Sequence, residues 1–223
     1  MKTNSTLILF LLLFNFSFNE AGNKISLSSY DVLEYFPLDE NVKLFYDSQF
    51  GEAITTFKKN GKDFIVDNSS DKFIYRQIMN KNEKGVFVKE TYQNFKVLPF
   101  VTKENTFTYS NPLLRIPKTI TDEWAWEGTE KSGNDDVRKI SVKGKVLGNE
   151  TIVTQAGTFK TIKIETVVAS SDGAKNILTE WLAPNIGMVK MTIKVEGGGV
   201  IGLLRDILGF STIEFLLTKI ERK

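Results

Sequence analysis

The sequence predicts an all-β protein: a curved antiparallel sheet forming a half-open or closed barrel, with at most one or two short helices. Three observations carry that prediction. Apolar and polar residues alternate with a period of two through much of the chain. Turn residues separate the alternating runs at short intervals, and helical periodicity is scarce. A period of two means one buried face and one wet face. Many such strands joined by short links do not stay flat, so they curl into a barrel or a sandwich.

In chain order, residues 28–35 could form a short helical turn before Pro37. Val42, Leu44 and Tyr46 then alternate with Lys43, Phe45 and Asp47. Residues 72–79 and 86–92 are β-rich, and the polar segment 80–85 between them predicts a hairpin. The Pro-containing stretch 111–117 reads as a crossover dividing the chain into halves at 30–115 and 116–223. Phe36-Pro37-Leu38 before Leu44-Phe45-Tyr46 is echoed by Ile116-Pro117-Lys118 before Trp124-Ala125-Trp126, which suggests a pseudo-repeat. Ile140, Val142 and Val146 share one face, as do Ile162, Ile164 and Val168. Ser171-Asp172-Gly173 turns the chain, since Asp-Gly is a strong hairpin signal. Val189, Met191, Ile193 and Val195 mark another strand, and Ile213, Phe215 and Leu217 close the series. Residues 200–208 are the second helix candidate.

The start of the chain carries a different signal. Met1 and Lys2 precede an unbroken Leu, Ile and Phe run over residues 7–14, and the chain turns small and polar around residues 19–23. This layout predicts a signal peptide over residues 1–21, cleaved between Asn19 and Gly22, with one mature β domain over 22–223. An uncleaved N-terminal anchor is the alternative. The run is short for a span of roughly 20 apolar residues, and no second one follows, so no transmembrane span is expected in the mature chain. The expected location is the periplasm of a bacterial envelope, or secretion beyond it.

The 223 residues include no His and no Cys. Disulfides and cysteine-anchored lipids are therefore unavailable, and the mature domain must hold by burial. Serine and cysteine triads and His-based zinc sites lack their residues. No phosphate loop, dinucleotide fingerprint or nucleophile elbow is present, so no enzyme activity, cofactor or metal is expected. Residues 67–71 and 132–136 share only the composition of calcium loops, without the ligand spacing, and read as hairpin turns. A net charge of +2 from interspersed residues gives no reason to expect nucleic-acid binding.

Two segments are candidates for ligand contact. Trp124 and Trp126 are two apart, so on a strand both indoles point the same way, either lining a cavity or plugging the core. Residues 197–210 are apolar and flanked by glycines. If helical, Ile201, Leu204 and Leu208 fall on one side, with Phe210 beyond. The segment then reads as a plug closing one end of the barrel, or as a flap over an apolar cavity.

Residues 154–165, with Ala156-Gly157-Thr158-Phe159, and residues 180–190, with Trp181-Leu182-Ala183-Pro184-Asn185-Ile186-Gly187, resemble an exported bacterial family of unknown function labelled TapB-like. Tyr35-Phe36-Pro37-Leu38 and Trp124-Ala125-Trp126-Glu127-Gly128 add to the likeness. The chain departs from it at Gln155, where the family usually has Pro, and at Asn185, where it usually has Gly. Asn tolerates a left-handed backbone, so that turn is expected to survive. The resemblance implies a curved sheet similar to lipoprotein carriers of the LolA and LppX type, and hence a hydrophobic ligand. It supplies no catalytic residue. Two readings follow: an envelope protein that binds a lipid or other hydrophobic small molecule, or a structural or protein-interaction module with an envelope partner and no ligand.

Overall fold

The computed structural model describes residues 31–98, 101–119, 123–196 and 212–223. The predicted signal peptide and the candidate contacts Ile201, Leu204, Leu208 and Phe210 lie outside the described residues.

The strands run β1 (Val42–Ser48), β2 (Ala53–Asn60), β3 (Asp63–Ser69), β4 (Phe73–Asn82), β5 (Gly85–Leu98) and β6 (Val101–Pro117). They continue with β7 (Glu123–Ser132), β8 (Val137–Thr154), β9 (Gly157–Ser170), β10 (Lys175–Ala183), β11 (Gly187–Glu196) and β12 (Thr212–Arg222). Each pairs antiparallel with the next, and β12 pairs with β1, so the sheet closes into a barrel. The predicted all-β barrel is what forms.

The alternation seen in the sequence sets which face turns in. On β1, Val42, Leu44 and Tyr46 are buried, and on β12 Ile213, Phe215 and Leu217 are buried. The outer face carries cross-strand ion pairs, including Arg76–Asp67, Lys145–Glu165 and Lys190–Glu214.

One short helix is described, α1 (Val32–Tyr35), capped by the Asp31 side chain, which accepts from the Leu33 amide. It falls within the predicted 28–35 turn. It plugs the barrel end formed by the β4–β5 and β10–β11 turns. Val32 N–H donates to the Lys118 carbonyl, Asn185 N–H donates to the Glu34 carbonyl, and Lys81 Nζ donates to the carbonyls of Leu33 and Phe36. Val32 and Leu38 are buried in a core with Val86, Ile116, Ile164 and Leu182.

Local outcomes differ from the sequence reading in three places. Residues 67–69, expected in a turn, complete β3, and only Ser70 and Asp71 with Lys72 remain to turn the chain. Asn80 and Asn82 continue the β4 ladder, and the turn shrinks to Glu83 and Lys84, with the Asn82 side chain accepting from Lys84 N–H. Residues 111–117 are not a crossover but the end of β6. Pro112 is accommodated because the β5–β6 register breaks between Val88–Leu113 and Glu90–Thr108, where no ladder donor is needed. The turns at 132–136 and 171–173 form as predicted, the latter with Gly173 at φ +86°.

Candidate functional site

The barrel is not packed solid. It holds a partly open cavity of about 350 Å³, bounded by the inner faces of the strands and, at the plug end, by Phe36, Pro37 and Leu38. Its wall has two characters.

One sector is apolar. Phe73 meets Phe50 edge-on at 5.6 Å and Phe215 edge-on at 5.9 Å, and it stacks on Phe95 at 6.1 Å. Such pairs add to the burial of the rings themselves. Met191, Ile193 and Ile213 extend this surface. These residues come from β1's turn, β4, β5, β11 and β12, whose inward positions are the apolar ones.

The other sector is polar. The Thr91 hydroxyl shares a hydrogen bond with the Tyr109 hydroxyl at 3.2 Å and accepts from Gln77 Nε2 at 3.4 Å. Burial pushes the Tyr75 phenol up to about 12, and burial also pushes Tyr109 above its ordinary range. Both phenols therefore stay protonated, as uncharged donors. Tyr46, fully within the wall, donates to the Met188 carbonyl at 2.8 Å.

Among the described residues four ionic side chains line the cavity, and all four are paired. Arg115 on β6 binds Glu180 on β10, and its guanidinium also lies over the Phe36 ring at 5.8 Å. Arg138 donates through Nε to Glu130 Oε1 at 2.8 Å, pairs with the same oxygen through Nη2, and donates through Nη1 to Asp172. Burial raises the Glu130 carboxyl above its ordinary value, and Arg138 opposes that shift. Asp172, at the rim, is held low by the neighbouring Ser170 hydroxyl, the Ala174 amide and Arg138.

Some buried polar atoms have no partner among the described residues: Thr55 Oγ1, Asn68 Oδ1 and Thr166 Oγ1, all on residues that line the cavity. Buried polar atoms are satisfied in the great majority of cases. Thr55 and Asn68 stand opposite each other in the β2–β3 register.

Trp124 and Trp126 both point inward, as their spacing predicts, but neither lines the cavity. Trp124 covers Gly144, its partner on β8, so closely that a Cβ there would lie 2.1 Å from the indole. Trp126 covers Gly128 and meets Tyr109 edge-on at 6.3 Å. The described β6–β7 ladder consists of Phe107–Ser132, Thr108–Lys131 and Tyr109–Glu130. The two indoles pack beside the stretch where this ladder stops.

Alternation alone does not single out Arg115, Glu180, Glu130, Tyr75 and Tyr109, because it assigns polar strand residues to the outer face. Strand parity was the available signal. Glu180 has the parity of Leu178 and Leu182, Arg115 that of Leu113, and Glu130 that of Trp124 and Trp126.

Trp181 faces away from Glu180. Its Nε1 donates to Glu150 Oε2 at 2.8 Å, and the ammonium groups of Lys163 and Lys190 lie 4.8 and 5.2 Å from its ring. Ile152 and Val189 pack in the same cluster. This indole fastens the β8–β9 hairpin to the outside of the wall. Among the described residues no cluster of acidic side chains is built to hold a metal ion.

Residues 84–193 match the DUF3108-like family model, a stretch that contains both segments on which the TapB-like resemblance rests. No curated protein matches the chain. Among solved structures, a candidate lipoprotein from Parabacteroides distasonis aligns at 15% identity and TM-score 0.42, covering 84% of this chain and 98% of that one. The hypothetical lipoprotein YmcC from Escherichia coli aligns at 11% identity and TM-score 0.44, over 84% of this chain and 89% of that one. A candidate exported protein with a YmcC-like fold from Bacteroides fragilis aligns at 12% identity and TM-score 0.33, over 82% and 97%.

Proposed function

We propose that this chain is a non-catalytic binding protein of a bacterial envelope, exported by the signal at residues 1–21, whose barrel holds a hydrophobic small molecule or lipid. The observation that carries the reading is the cavity of about 350 Å³ inside the barrel. A purely structural module gains stability by filling such a space, because unfilled volume costs stability. The volume falls within the range of roughly 300–1,000 Å³ typical of ligand sites, and the wall combines apolar surface with a few convergent polar groups.

The paired charges support binding over catalysis. A general acid or base must be free to exchange its proton with a substrate. Glu130 and Glu180 are each held by an arginine.

The test is native mass spectrometry of the mature protein purified from a periplasmic extract, followed by organic extraction. A stoichiometric co-purifying lipid or other apolar molecule is the expected result. A clean protein mass, with no uptake of an apolar fluorescent probe, would reject the reading in favour of an envelope interaction module.

A further inference from the structure

We propose that the cavity selects an uncharged amphiphile, a compact single-chain molecule whose head carries hydroxyl or ester groups. The inference rests on the binding reading above and adds the ligand's chemistry.

Charge is the first argument. Among the described residues, each ionic side chain lining the cavity already has an opposite partner on the wall: Arg115 has Glu180 and Arg138 has Glu130, with Asp172 adding a second carboxylate to Arg138 at the rim. A carboxylate or phosphate head would have to displace Glu180 or Glu130 from its arginine and leave that carboxylate buried and unpaired. An ammonium head inside the cavity would have to take Glu180 or Glu130 from its arginine, because Asp172, the further carboxylate on Arg138, lies half-exposed at the rim and off the cavity wall. Either exchange trades one buried pair for another and strands a charge, which is strongly unfavourable.

Unmet hydrogen-bonding capacity is the second. Thr55 Oγ1 and Asn68 Oδ1 lie opposite each other on β2 and β3, and Thr166 Oγ1 lies on β9, all buried and unpartnered among the described residues. An amide oxygen accepts only, whereas a hydroxyl both donates and accepts. A head that donates as well as accepts, such as a glycerol ester, answers both kinds of atom. A saturated hydrocarbon answers neither.

Size and shape are the third. The apolar sector around Phe73 gives a hydrocarbon chain a place to lie. At about 350 Å³ the cavity sits at the small end of ligand sites, which suits one chain better than two.

The experiment measures displacement of N-phenyl-1-naphthylamine, a neutral apolar fluorophore, by three twelve-carbon ligands below their micelle concentrations: 1-monolauroylglycerol, dodecanoate and dodecyltrimethylammonium. The glycerol ester is expected to bind at least about tenfold tighter than either ion. In the double variant Thr55→Val, Asn68→Leu, it is expected to lose about tenfold while the fluorophore's affinity is retained, with circular dichroism confirming the fold. Equal or tighter binding of either ion would overturn the assignment while leaving the cavity reading intact. So would an unchanged glycerol-ester affinity in the double variant, which would give Thr55 and Asn68 to water. Failure of the fluorophore and all three ligands to bind would overturn the cavity reading itself.

Discussion

Arg115 and Glu180 form an ion pair across the barrel lumen, from β6 to β10, strands that three others separate in the ladder. Their side chains are 13% and 4% exposed, so the pair acts in low dielectric. It ties two separated parts of the wall together near the plug, where Arg115 also covers Phe36. Removing one partner strands a buried charge. Glu180→Leu is therefore expected to cost about 3–5 kcal/mol in urea unfolding, and Arg115→Met combined with Glu180→Leu is expected to recover most of it. A double variant as unstable as the single one would show that the pair is not what holds these walls.

The close approach of Trp124 to Gly144 makes a second prediction. A methyl group on residue 144 would occupy the space of the indole, which is itself buried. Gly144→Ala is expected to lose about 1–3 kcal/mol from overpacking, visible as a lower melting temperature. Trp124→Leu in the same chain should restore part of the loss. An unchanged melting temperature in Gly144→Ala would contradict the packing described.

How much of this was legible in the sequence depended on what each strand faces. β1, β11 and β12 line the apolar sector, so their inward residues are apolar and the alternation is plain: Val42, Leu44 and Tyr46, or Ile213, Phe215 and Leu217. β3 is half-buried along its whole length, from Asp63 to Ser69, with Asn68 facing inward, so its alternation is blurred. The exposed first residues of β6 and its Pro112 hid a strand that continues to Pro117. The cavity itself explains the gap. Its polar wall places Thr55, Asn68, Gln77 and Gln93 where a filled core would have placed Leu or Val. The charged pairs were hidden for the same reason, because Arg115 and Glu180 find each other only when the barrel closes. The two tryptophans were readable as sharing a face. That they cover Gly128 and Gly144 rather than line the cavity was not, because it depends on the β7–β8 register.

Glu130 supplies a pH prediction. Burial raises its carboxyl above the ordinary 4.5, so the folded chain binds this proton more readily than the unfolded one. The stability tied to Glu130 is thus fully present below 4.5 and is lost as pH rises through the folded value. The stability of the natural chain relative to Glu130→Gln should fall as pH rises through that window. Carbon NMR of the Glu130 carboxyl should show a midpoint above 4.5. A midpoint below it, with the opposite trend in relative stability, would contradict the environment assigned to it. Asp63 and Asp172 act in the other direction. Their carboxyls are held low in the folded chain, so what they contribute is present at neutral pH and lost on acidification.

Asn185 occupies the left-handed region at φ 60°, in the turn whose amide reaches the plug helix at the Glu34 carbonyl. Asn185→Gly should leave stability nearly unchanged, whereas Asn185→Val should cost about 1–2 kcal/mol. Equal stability of the two variants in urea would remove the backbone account of this turn.

The most direct test of the central claim is saturable binding of N-phenyl-1-naphthylamine to the mature protein and to Met191→Trp, which places an indole in the cavity beside Phe215. The account predicts one probe per natural chain, and loss of binding in the variant with its β-sheet circular dichroism retained. Absence of saturable uptake, or equal uptake by both chains, would contradict the barrel interior as the binding site.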